Sequence, residues 1–164
     1  MARKNRRMKI EYHRGLDFDP KKYISAPASK MEGNTHNRTP HRGDIWFADL
    51  GGHPDSSVQG GVRPVIILSN NIGNAHADTV NVVPMTRHLK RPELPCHIEL
   101  HPDSITDKHQ FLDVSMVLAE QLTTISKYAL RSYAGHISDA VTLEKIGKAV
   151  MAQLGMERSP AKCQ

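Results

Sequence analysis

The chain has little of what secreted, membrane or zinc-organised proteins rely on. Two of its 164 residues are cysteine, Cys96 and Cys163. They show neither the paired spacing of a zinc site nor a disulfide framework. No apolar run approaches 18 residues and no signal-type apolar segment stands near the start, so no membrane contact is expected and a cytoplasmic protein is predicted. No internal repeat is visible. Acidic residues are scarce at the N-terminus: residues 1–42 hold 11 of the 22 Lys and Arg but 4 of the 17 Asp and Glu. The net charge of +5 therefore resolves into +7 on that leader and −2 on the rest. The basic balance belongs to the leader, and an anion site in the body must be local. Residues 1–40 contain only Tyr12, Phe18 and Tyr23 as aromatics, too few to build a core. They are expected to form a disordered basic arm.

What is present is organised around Gln59-Gly60-Gly61-Val62-Arg63-Pro64-Val65-Ile66-Ile67-Leu68-Ser69-Asn70. Val65–Leu68 is a continuous apolar run, as in a strand buried on both faces. Two glycines precede it, where a chain bends through positive φ or lies close to a ligand. Pro64 fixes its own φ and biases Arg63 toward an extended backbone. A guanidinium at the mouth of a buried strand, beside an open glycine loop, suits bidentate contact with a phosphate. A surface arginine that merely begins a strand accounts for the same local pattern.

Further strands are predicted at Ile45–Leu50, Thr79–Thr86, Pro95–Leu100, Val114–Gln121 and Tyr133–Ile137. Asn70–Asn74 reads as a turn, 101–112 as a loop and Ser126–Leu130 as a helical turn. Pro84 within the third strand predicts an edge or a bulge. Ser138 or Asp139 caps a last helix of about four turns closed by Gly155, with Leu143, Ile146, Val150 and Leu154 on one face. The fold class is mainly β with helices, a small β-barrel carrying a C-terminal helix. Order is expected over 41–155, followed by a frayed tail at 156–164.

Several blocks now resemble one family. Arg42-Gly43-Asp44-Ile45-Trp46-Phe47-Ala48-Asp49-Leu50, the Gln59–Asn74 stretch, Leu94-Pro95-Cys96-His97-Ile98-Glu99-Leu100, Ala119-Glu120-Gln121 and Gly135-His136-Ile137 look like the MazF/PemK toxins. The likeness runs in one order from about Arg42 to Gly155. It implies an SH3-like barrel acting as a homodimer, held in check by a cognate antitoxin. It also implies a ribosome-independent endoribonuclease that cuts single-stranded RNA with no metal or other cofactor. In such chemistry the 2′-OH attacks the adjacent phosphorus, leaving a 2′,3′-cyclic phosphate and a 5′-hydroxyl.

Carried over residue by residue, the resemblance assigns catalysis to Arg63 and Thr86. Charge grows on the phosphoryl oxygens as the phosphorane forms, and a fixed guanidinium stabilises it. A threonine hydroxyl donates to the same phosphate and holds it in line. Ser57, Gln59, Gly61 and Gln121 match the RNA-contacting positions, where amides read the edges of unstacked bases. Many relatives have an acidic residue directly before the glutamine, whereas this chain has Val58. His53 and His88 flank the site as alternative acid–base groups, and Lys90 and Arg91 as backbone contacts. Trp46 offers a stacking surface, although a lone strand tryptophan more often lies in a core. His97-x-Glu99-x-His101 alternates onto one strand face, and a solvated polar face is the preferred reading there over a metal site. The rival function is a non-enzymatic toxin or binding module on the same barrel, such as a CcdB-like gyrase poison or an RNA binder.

Overall fold

A computed structural model describes residues 38–89, 91–110 and 112–156. The expectations for the basic arm up to residue 37, and for the tail from 157, lie outside these residues. The elements are β1 (Asp44–Asp49), β2 (Val62–Ile67), α1 (Asn71–His76), β3 (Thr79–Thr86), β4 (His97–Leu100) and β5 (Ile105–Thr106). There follow β6 (Ser115–Leu118), β7 (Thr123–Ser126), β8 (Leu130–Ile137) and α2 (Ala140–Gln153). All strand pairs are antiparallel, in the order β4-β6-β3-β2-β1-β8-β5, with β7 added to β3. The result is a mostly β fold: a curled antiparallel sheet, a half-barrel, with a helix at the C-terminal end.

The period-2 alternation of the central strands gives each of them two apolar faces. Ile45, Ile66, Val83, Met85, Val117 and Ala134 point to one side and pack with Ile146 of α2. Trp46, Ala48, Val65, Ile67, Val80, Val82 and Tyr133 point to the other. Both faces of β1–β3 are thus apolar, which is why Val65–Leu68 has no polar member. Fully burying each large aliphatic side chain contributes about 1.5–3 kcal/mol. The β1–β8 register slips twice, between Ile45 and Trp46 and between Phe47 and Ala48, and such irregularities bend a strand and increase its twist. At Gly135 an added Cβ would lie 2.7 Å from Ile105 Cγ2 and 3.1 Å from the Thr106 carbonyl oxygen. The close approach of β5 to β8 therefore requires glycine.

The structure departs from the sequence expectations in several places. Asn71–His76 is a short helix rather than a turn, with Asn70 accepting from the Gly73 amide. Residues Ile105–Thr106 form a strand inside what reads as a loop. The strand expected over 114–121 stops at Leu118, and Ala119–Gln121 is a 3-10 turn. The helical turn expected over 126–130 narrows to Lys127–Ala129, with β7 before it and β8 directly after. Pro84 is not at an edge. It pairs with Val65 of β2 and falls between the β7 pairings, which end at Val82, and the β6 pairings, which begin at Met85. On that side the ladder asks for no donor at the proline. Asp139 caps α2 by accepting from the amides of Val141 and Thr142. Ile146 and Ala149 form the buried stripe, whereas Leu154 is 56% exposed.

Candidate functional site

The connection between β1 and β2, residues 50–61, is pinched shut at its base. The Leu50 amide donates to the Gly61 carbonyl at 3.1 Å, and the Gly61 amide donates to the Gly51 carbonyl at 2.6 Å. Gly61 adopts φ +72°, a conformation that disfavours any side chain. A Cβ on Gly60 would sit 2.9 Å from the Gly51 carbonyl oxygen. The glycines therefore bring the two ends of the loop together. The amide of Gly61 is committed to that closure, so what this residue offers a ligand is open space: nothing lies within 4 Å of the side chain it lacks.

Arg63 leaves this closure on β2. Its Nε donates to the Gly60 carbonyl at 2.8 Å, and Nη1 donates to Oε1 of Gln59. Its strand neighbour is Ala48 of β1, whose methyl is too small to cover a guanidinium. Both holders are neutral, and among the described residues no carboxylate lies within ion-pair distance. Burial pushes the guanidinium below its ordinary value, yet an arginine keeps its charge across any physiological pH. A half-buried cation fixed by two neutral acceptors, with no counter-charge, attracts an anion.

Thr86 ends β3, the next strand. The β2–β3 pairs are Val65↔Pro84, Ile66↔Val83 and Ile67↔Val82. Continued two residues past its last pair, this register sets Thr86 opposite Arg63, on the same face by alternation. The Thr86 hydroxyl accepts from the His88 amide at 3.2 Å, which leaves its proton available for donation. A cation and a hydroxyl donor thus stand at the same end of two paired strands.

Gln121 and the loop are joined directly. Oε1 of Gln121 accepts from the Gln59 amide at 2.7 Å, and its Nε2 donates to the Ser57 carbonyl at 3.3 Å. The 3-10 turn after β6 therefore anchors the loop whose Gln59 side chain holds Arg63. Sequence reasoning selects these residues as possible RNA contacts and misses that they hold one another. Partners 62 and 64 positions apart leave no local pattern. The Ser57 side chain and Val58 are exposed on the loop.

The other candidates separate. His53 donates through Nε2 to the Leu50 carbonyl at 3.1 Å and lies beside Gly60. His88 is exposed beyond Thr86. Arg91 adopts φ +51°, and Lys90 lies outside the described residues. Trp46 is 2% exposed, edge-on to Tyr133 with ring centroids 5.5 Å apart, and so is core and unavailable for stacking. The three groups of the His97–His101 stretch do not converge. His101 pairs with Glu99 at 3.0 Å, while His97 faces Glu120 at 3.4 Å. Among the described residues no helix is long and apolar enough to cross a membrane.

Comparison with known proteins identifies the family. A family profile described as "PemK-like, MazF-like toxin of type II toxin-antitoxin system" matches residues 41–154. Endoribonuclease EndoA of Bacillus subtilis is 35% identical over 115 residues, covering 70% of this chain and 94% of that protein. Endoribonuclease MazF of Staphylococcus saprophyticus is 32% identical, covering 70% and 91%. Among solved structures, a mycobacterial endoribonuclease in complex with its cognate antitoxin superposes with a TM-score of 0.54 at 26% identity, over 74% of this chain and 99% of that one. MazF from Deinococcus radiodurans gives a TM-score of 0.57 at 20% identity, over 73% and 100%. The chain belongs to the PemK-like, MazF-like toxin family of type II toxin–antitoxin systems.

Proposed function

We propose that this chain is the toxin of its pair and an endoribonuclease that cuts single-stranded RNA in the cytoplasm, as a homodimer restrained by a cognate antitoxin. The observation that carries the reading is the uncompensated guanidinium of Arg63, gripped by Gly60 and Gln59. Its neutral holders leave the positive charge free to meet a phosphate, and Thr86 stands by to donate to the same group. The scissile phosphodiester lies between Arg63 and Thr86. The 2′-oxygen attacks phosphorus and loses its proton, the bond to the 5′-oxygen breaks, and that oxygen gains a proton. Arg63 stabilises the charge on the phosphoryl oxygens, and the Thr86 hydroxyl donates to one of them. The cut strand ends in a 2′,3′-cyclic phosphate and its partner in a 5′-hydroxyl. Exposed Ser57, on the loop that Gln121 anchors and Gln59 ties to Arg63, borders the path of the bases and supplies sequence preference.

The test is to incubate purified protein with a long RNA in EDTA and analyse the fragment ends. Discrete cuts bearing cyclic phosphate, reduced about 10²–10³-fold in Arg63→Ala, are expected. Intact RNA together with gyrase inhibition would replace this reading with the binder, and cuts unaffected by Arg63→Ala would remove the arginine from the chemistry.

A further inference from the structure

A cluster outside the Arg63–Thr86 site brings three metal-ligating side chains together. Cys96 precedes β4, His97 is the first residue of that strand, and Glu120 lies in the turn after β6. The two strands are paired, with His97 opposite Leu118. The Ala119 amide donates to the Cys96 carbonyl at 3.0 Å, which fixes the turn against the strand. One donor atom from each of the three side chains lies within 4.8 Å of the others.

The orientation of His97 is informative. Its Nδ1 stands 3.0 Å from the Arg91 carbonyl oxygen, which only accepts, so Nδ1 carries a proton. This is the outer contact that orients metal-bound histidines. Nε2 faces Oε1 of Glu120 at 3.4 Å. A charge-assisted hydrogen bond would close to about 2.7–2.9 Å. Zinc bonds of about 2.0–2.2 Å to nitrogen and oxygen, at a tetrahedral angle, put those two atoms roughly 3.4 Å apart. The second Glu120 oxygen, Oε2, is buried without a hydrogen-bond partner.

We propose that Cys96, His97 and Glu120 bind one divalent cation of the zinc class, with a water completing the tetrahedron. The Cys-His-Glu donor set suits a borderline-soft metal. The ion serves structure rather than cleavage, because it ties the entry of β4 to the turn that carries Gln121. The inference stands apart from the nuclease reading, which is tested in EDTA.

The experiment uses the full chain, stripped with EDTA and titrated with Co²⁺, then displaced by Zn²⁺. Expected are one ion per chain, a thiolate-to-cobalt charge-transfer band in the near ultraviolet, and a Zn²⁺-dependent rise in Tm. In Cys96→Ser the band should vanish. Cys96→Ser and Glu120→Gln should each weaken binding by more than the roughly 10–100-fold that loss of an outer-shell partner brings. Circular dichroism of the stripped variants confirms that they fold. Peptide-mapped alkylation of the unmodified protein provides a readout free of mutation: Zn²⁺ should protect Cys96 from iodoacetamide. No stoichiometric binding, affinity unchanged in both variants (an ion on other histidines), or alkylation of Cys96 indifferent to Zn²⁺ would each overturn the proposal.

Discussion

The contact most open to quantitative challenge is Gln121 on the Ser57–Gln59 loop. Gln121→Ala deletes an acceptor 2.7 Å from the Gln59 amide and a donor 3.3 Å from the Ser57 carbonyl. A net hydrogen bond is worth about 0.5–1.5 kcal/mol, and the longer one belongs at the bottom of that range. Together they bias the loop toward its anchored state by about 1.5 kcal/mol, or roughly tenfold in the equilibrium. The frame does not depend on them, because the closure bonds of Leu50 and Gly61 stay in place. The loop then samples an open state in which Gln59 no longer holds Arg63. Hydrogen exchange at the Gln59 amide should accelerate by up to about tenfold while exchange in β2 and β3 stays unchanged. The specificity constant for RNA should fall by no more than the same factor, chiefly through KM, because substrate can select the anchored state. A Gln59 amide that keeps full protection, or a loss of activity beyond about 10²-fold with unaltered exchange, would refute this. The latter would mean that Gln121 acts on the RNA itself.

Three other outcomes follow from the same contacts. Thr86→Val, nearly isosteric, removes the donor and should lower single-turnover cleavage by up to about 10²-fold with little change in RNA affinity; an equal loss in affinity would assign the hydroxyl to binding. Ile146→Ala should reduce unfolding free energy by about 2–5 kcal/mol, whereas exposed Leu154→Ala should stay within about 0.5 kcal/mol, both measured by urea titration. The carboxyl of Asp139 is held below its ordinary value, chiefly by the Thr142 hydroxyl and then by the Val141 amide. The unfolded state therefore binds the proton first as pH falls, so the cap's contribution is complete above the ordinary carboxylate range and is lost on acidification through the lower folded value. Asp139→Asn should flatten this part of the acid limb in a pH series of thermal melts, and an unchanged slope would deny the cap its role.

How far the sequence carries these conclusions depends on how far apart the contacting residues lie. The buried run of Val65–Leu68 and the Asp139 cap of α2 are local patterns and appear at their expected positions. The helix face does so only in part: Ile146 is buried and Leu143 and Val150 pack beside it, but Ala149 joins them and Leu154 is exposed. Arg63 and Thr86 could be put on one face from alternation once the strands were in place, although their pairing rests on the resemblance until a register is known. Most of the failures are non-local, and helix α1 is the local exception. Helix α1 contains Gly73 and Asn74, poor formers in isolation. It is held by Asn74 donating to the Ser69 carbonyl at 3.0 Å, by a 2.5 Å contact with the Ser69 hydroxyl, and by the Asn70 cap. Strand β5 has two residues, too few for any periodicity. Pro84 argues against an interior strand until the partners on its far side are known. Glu120 approaches Cys96 and His97 only because β4 and β6 pair, which is why the histidine seems in sequence to belong with Glu99 and His101.

The division of labour within the site follows from where each group is anchored. Arg63 and Thr86 stand near the ends of strands whose next residues on the same face, Val65 and Pro84, are buried, so displacing either means disturbing the core. Residues 51–60 touch that frame through the Gly51–Gly61 closure, through Gly60 and Gln59 on Arg63, through His53 on Leu50, and through Gln121. Substitutions at exposed Ser57 or Val58 therefore leave the phosphate grip where it is and alter what lies beside it. On the proposed reading, chemistry would reside in the stiff part of the molecule and base preference in a part tied down by a few hydrogen bonds, each worth about 1 kcal/mol. A half-barrel built this way could change the RNA it prefers without rebuilding the means of cutting it. The one loop residue that bridges the two functions is Gln59, whose amide is held by Gln121 and whose side chain holds Arg63.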